Sequence, residues 1–126
     1  MTLKKIATTL APAAVGPYSQ AIEHQGLLYV SGQLPLDAQS GQIVGKTAAE
    51  QATQCLENLR TIAVAANTSL ARTVKTTVLL TDLRAFQAVN EIYASYFSEP
   101  FPARACYQVV ALPKGAAVEI EAVIAL

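Results

Sequence analysis

The chain has 126 residues, 52% of them apolar and 14% charged, and its nine Lys and Arg balance nine Asp and Glu. That length suits one domain over 1–126 with a buried core. Zero net charge argues against the basic footprint of a nucleic-acid binder, and no apolar run reaches membrane-spanning length. Cys55 and Cys106 are far apart and fit no metal-binding spacing, and the start carries no apolar signal segment. A soluble, cytoplasmic protein in a reducing compartment is expected.

In chain order, 3–8 reads as a short edge strand. The Pro- and Gly-punctuated stretch 11–17 reads as a loop from which Tyr18 emerges. Strands over 19–23 and 27–31 flank a turn at 24–26 and form a hairpin. Gly32 closes it, and 33–46 is a loop. Thr47 with Glu50 three residues on has the pattern of a capping box. The helix that follows carries Ala52, Cys55, Leu56, Leu59, Ile62, Ala63 and Ala66 at helical spacing, and Asn67 stops it. Cys55 falls on that stripe as inert core.

A strand over 73–81 follows, with Val74, Thr76, Val78 and Leu80 on one face. Asp82 caps a second helix whose stripe is Phe86, Val89, Tyr93 and Phe97, with Asn90 inside it. The chain closes on Phe101-Pro102-Ala103-Arg104-Ala105-Cys106 and Val118-Glu119-Ile120-Glu121-Ala122, read as two strands joined by a turn at Pro113 and Gly115. In that register Cys106 lies opposite Glu121 and Gln108 opposite Glu119, so Arg104, Glu119 and Glu121 share a face. A fixed cation beside a carboxylate suits a small anionic substrate and a positioned water. The order of elements argues for an α+β fold with a mixed six-stranded sheet. Two helices cover one face, and the other, still apolar, is expected to be buried in a homo-oligomer.

Gly16-Pro17-Tyr18-Ser19-Gln20, Val30-Ser31-Gly32-Gln33, Val74-Lys75-Thr76-Thr77-Val78, Asn90-Glu91-Ile92-Tyr93, Phe101-Pro102-Ala103-Arg104 and Val118-Glu119-Ile120-Glu121-Ala122 together resemble the RidA family, also called YjgF/YER057c/UK114. The resemblance covers essentially the whole chain, in order. It implies a chorismate-mutase-like α+β fold and a homotrimer with clefts between subunits. It also implies hydrolysis of reactive enamines and imines, 2-aminoacrylate and 2-iminobutanoate, to 2-keto acids and ammonia. Carried over by position, Arg104 holds the substrate carboxylate and Glu119 positions the attacking water. Tyr18 and Asn90 line and support the cleft, and Gly32 and Cys106 offer backbone contacts to the ligand. No metal or organic cofactor is required, because an imine carbon is already electrophilic.

Each residue also has a plainer reading. Arg104 could form a structural ion pair with Glu121, and Glu119 could be a solvated strand residue. Asn90 could be a satisfied buried amide, and Tyr18 could only pack its ring. A catalytic Cys106 would need a nearby base, and the one histidine, His24, sits in a turn. Rival functions are a trimeric binder of small metabolites, a chaperone-like module, and an endoribonuclease or translation inhibitor. One histidine and zero net charge offer the last little support.

Overall fold

The computed structural model describes residues 2–126. The elements are β1 (Lys4–Ile6), β2 (Ala21–His24), β3 (Leu27–Gln33), α1 (Ala48–Ala65), β4 (Thr73–Leu80), α2 (Phe86–Tyr96), β5 (Ala103–Gln108) and β6 (Val118–Ala125). They build one six-stranded mixed sheet in the order β1-β2-β3-β6-β4-β5. Only β4 and β5 run parallel, and α2 is the crossover that joins them. The turn between β2 and β3 puts Gln25 at φ 50° and Gly26 at φ 80°, the paired positive values a two-residue hairpin turn requires.

The α1 terminus follows the sequence reading closely. The Thr47 hydroxyl accepts from the Glu50 N–H at 3.1 Å, and Glu50 Oε1 accepts from the Thr47 N–H at 3.0 Å. These bonds satisfy two donors that a helix start otherwise leaves orphaned. Thr47→Ala is expected to lower stability by about 1 kcal/mol. A denaturant midpoint shift at unchanged slope checks it. Asp82 differs from expectation. Its carboxylate caps a short 3-10 turn, Leu83–Ala85, which then leads into α2.

Alternation along the strands sets the two faces. Val78, Leu80, Val118, Ile120, Ala122 and Ile124 are buried against α1, whose Ala52, Cys55, Leu56, Leu59 and Ile62 are fully buried. Both helices contribute to this single cluster through α1 and, from α2, Val89 and Tyr93. The opposite face carries Tyr29, Lys75, Thr77, Leu79, Tyr107, Glu119, Glu121 and Val123, none of them buried. Val74 departs from its expected side. A register irregularity between Thr73 and Lys75 turns it outward, 47% exposed, while Thr73 is buried.

The expected closing hairpin does not form. β5 and β6 are not neighbours, because β4 lies between them. Arg104 pairs with Thr76 and Cys106 with Val78 on one side of β4, while Ala122 and Ile120 pair with the same residues on the other. Cross-strand partners share a face. Arg104 and Cys106 therefore belong to the helix-covered face, and Glu119 and Glu121 to the open one. The shared-face reading of Arg104, Glu119 and Glu121 is overturned, and with it the register that set Cys106 against Glu121 and Gln108 against Glu119.

Candidate active site

Arg104 sits on the edge strand β5, where α2 passes beside it. Its Nη1 donates to Asn90 Oδ1 at 2.7 Å. Its guanidinium carbon lies 4.8 Å from the Tyr93 ring centroid and 5.5 Å from that of Phe86. Phe86, Asn90 and Tyr93 recur at helical spacing, so one face of α2 supplies all three contacts. The remaining guanidinium edge faces an open cleft of about 400 Å³ lined by Asn90, Tyr93, Ala94, Phe101, Pro102 and Arg104. A planar fork held at one corner and free at the others suits a carboxylate. The alternative ion pair with Glu121 is not formed among the described residues, as their places on opposite faces require.

Glu119 belongs to a second cluster. A methyl group added at Gly32 would clash with the Glu119 carboxylate, with Cδ at only 2.9 Å. Only glycine, at the irregular end of β3, leaves room for the carboxylate to lie against the backbone. Burial raises the Glu119 pKa above the ordinary glutamate value, and the neighbouring Glu121 charge adds to the rise. Ser31 ties this spot to the Tyr18 loop, donating its N–H to Gln20 O at 2.9 Å and its hydroxyl to Ser19 O at 2.6 Å. The loop is pinned by the buried Gln20 amide, which accepts from Thr8 N–H and donates to Thr8 O and Pro12 O. Tyr18 itself is 54% exposed, its ring free to meet a ligand or another chain.

The predicted site residues thus fall into two groups. Arg104, Asn90 and Cys106 gather at the α2–β5 edge, while Glu119 and Gly32 gather on the open face near the Tyr18 loop. Two strand spacings and three residues along the strand separate Arg104 from Glu119, about 14 Å between Cα atoms, with the side chains pointing apart. One chain cannot close both on one small substrate.

Cys106 is half-buried, and burial pushes its thiol up despite the opposing Arg104 charge, so a thiolate is disfavoured. Cys55 is fully buried with its thiol raised further, which fits inert core. Among the described residues no group of three or more His, Cys, Asp or Glu gathers to hold a metal. No helix among them is long and apolar enough to cross a membrane. The Tyr93 and Phe86 rings beneath Arg104 escaped the sequence reading as site residues, because their spacing read as a packing stripe. That same spacing was the available signal.

Gly32→Ala is expected to lower kcat/KM at least about 10-fold without unfolding the chain, by forcing the Glu119 carboxylate out of place. Steady-state kinetics beside a thermal melt checks it.

A family model described as Endoribonuclease L-PSP matches residues 8–126. A Sinorhizobium fredii protein named RutC family protein y4sK is 61% identical over 98% of this chain and 98% of its own length. A Mus musculus protein named 2-iminobutanoate/2-iminopropanoate deaminase is 54% identical, covering 95% of this chain and 89% of its own. A solved structure of RidA from Psychrobacter sp. PAMC 21119 superposes with a TM-score of 0.93 at 46% identity, over 98% of this chain and 99% of that one. With the mixed six-stranded sheet, the two helices on one face and the motif residues at these positions, the chain belongs to the RidA (YjgF/YER057c/UK114) family.

Proposed function

We propose that this protein is an imine deaminase. It hydrolyses 2-iminobutanoate and 2-iminopropanoate, the latter formed from the enamine 2-aminoacrylate, to 2-keto acids and ammonia. The observation that carries the reading is a pair of groups matched to that chemistry: a guanidinium fork held open by Asn90 and a carboxylate of raised proton affinity against Gly32. The deaminase name of a relative 54% identical supports it.

The separation of the two groups supports a cleft between subunits. The open face bearing Glu119 also presents Tyr29, Leu79, Tyr107 and Val123, apolar surface that a second copy would cover, and β5 with Arg104 is an exposed sheet edge. In a closed ring of three, the open face of one subunit meets the β5 edge of the next, so each cleft joins Arg104 and Asn90 of one chain with Glu119, Gly32 and Tyr18 of another.

In that cleft Arg104 grips the substrate carboxylate and sets the imine carbon against a water held by Glu119. The water oxygen bonds to the carbon as Glu119 takes its proton. Glu119 passes that proton to nitrogen, giving a carbinolamine. It then takes the hydroxyl proton and delivers it to the same nitrogen as the C=O bond forms and the C–N bond breaks, releasing ammonia and a 2-keto acid. Because uncatalysed imine hydrolysis is already fast, positioning and one proton shuttle are enough.

The test generates 2-iminobutanoate with threonine dehydratase in the presence of semicarbazide. Faster release of 2-oxobutanoate and less trapped imine support the deaminase. A correctly assembled oligomer that binds 2-oxobutanoate but leaves trapping unchanged would instead make it a metabolite binder. The description of the family model names ribonuclease activity. Here the one histidine, His24, lies on β2, paired with Leu27. RNA left intact at low salt would exclude that activity.

A further inference from the structure

Thr76 is fully buried on β4, directly beside Arg104 in the parallel register. Its hydroxyl is 2.7 Å from the Tyr93 hydroxyl, and one of the two donates to the other. Tyr93 is also buried, with Phe97 packed on its ring at a centroid distance of 4.6 Å. The ring under the guanidinium is thus fixed at its hydroxyl end by a strand and at its face by a neighbouring aromatic. A hydroxyl pair inside an apolar core is an unusual choice when Phe and Val would pack the same volume.

We propose that Tyr93, locked by Thr76, is a positioning residue that aims the Arg104 fork at the substrate carboxylate. The Thr76–Tyr93 bond sets the ring plane, the ring holds the guanidinium by a cation–π contact, and Asn90 fixes its rotation about that plane. Tyr93 needs no contact with the reacting carbon for this. The inference rests on Arg104 being the carboxylate anchor of the proposed deaminase.

A purely structural pair and a positioning pair behave differently when both hydroxyls are removed together. Tyr93→Phe or Thr76→Val alone strands one buried hydroxyl, so each lowers the melting temperature, whereas the double variant leaves no orphan and recovers it. The positioning role predicts that KM for 2-iminobutanoate rises roughly 5- to 30-fold in each single variant and stays raised in the double variant, with kcat within about 2-fold. Calorimetric binding of 2-oxobutanoate weakens in parallel. A KM that returns to the wild-type value with the melting temperature would overturn the proposal, as would an unchanged KM in Tyr93→Phe.

Failure of the deaminase reading shows separately, as wild-type protein without turnover. Binding then decides: Arg104→Ala abolishing 2-oxobutanoate binding with Tyr93→Phe weakening it supports the positioning role. Equal binding in all variants overturns it.

Discussion

Replacing Arg104 with alanine is expected to remove essentially all acceleration of imine hydrolysis while the fold survives. The side chain is exposed at a sheet edge, and its partners Asn90, Phe86 and Tyr93 remain packed on α2 without it. Stability should therefore change little. The substrate loses a charge-assisted, bidentate grip, about 3–5 kcal/mol of binding in a partly desolvated cleft. That corresponds to a fall in kcat/KM of about 10²- to 10⁴-fold. Lysine at 104 keeps the charge but not the planar fork, so Arg104→Lys should recover only a small part. A fully active Arg104→Ala enzyme would remove the carboxylate clamp from the account.

The second large effect is expected at Glu119. Glu119→Gln keeps shape and hydrogen bonding but cannot take a proton, and a general base of this kind is worth about 10²- to 10⁴-fold. The pH dependence carries the signature. Burial first and Glu121 second raise the Glu119 pKa, so the rate should fall with acidification at a pH above the ordinary glutamate range. The stability sign runs the other way. A carboxylate with a raised folded pKa stabilises the fold while protonated, and that contribution is lost as pH rises through the folded value. Glu119→Gln should therefore be inactive yet no less stable than wild type at neutral pH, and more stable once the carboxylate would be ionised. Activity retained in Glu119→Gln, or an acid limb at the ordinary glutamate position, would assign the base elsewhere.

Local chemistry was legible in the sequence where it acts over a few residues. Thr47 and Glu50 announced the start of α1, and the turn before β3 was marked by Gly26. On β6 the run of Val118, Ile120, Ala122 and Ile124 marks the core face, so Glu119 and Glu121 had to point away from it. β5 carried no such mark. One side carries Ala103, Ala105 and Tyr107 and the other Arg104, Cys106 and Gln108, so neither reads as a core face, and the face of Arg104 could not be read from that pattern. Nor does alternation say which strands are neighbours. Adjacency in sequence suggested a hairpin, but the α2 crossover lays β5 parallel to β4 at the edge and leaves β6 to pair between β3 and β4. The candidate site residues stand out in the sequence by type and motif, while their division between two faces is a property of the sheet order.

That division sets the decisive measurement. Arg104→Ala and Glu119→Gln chains, each inactive alone, are unfolded together, refolded as mixed oligomers and assayed for 2-iminobutanoate hydrolysis. If each cleft takes Arg104 from one subunit and Glu119 from the next, random mixing rebuilds about one cleft in four with both groups intact, and activity returns to about a quarter of wild type. Mixed oligomers that assemble correctly yet stay inactive would mean that both groups act within one chain, contradicting the account.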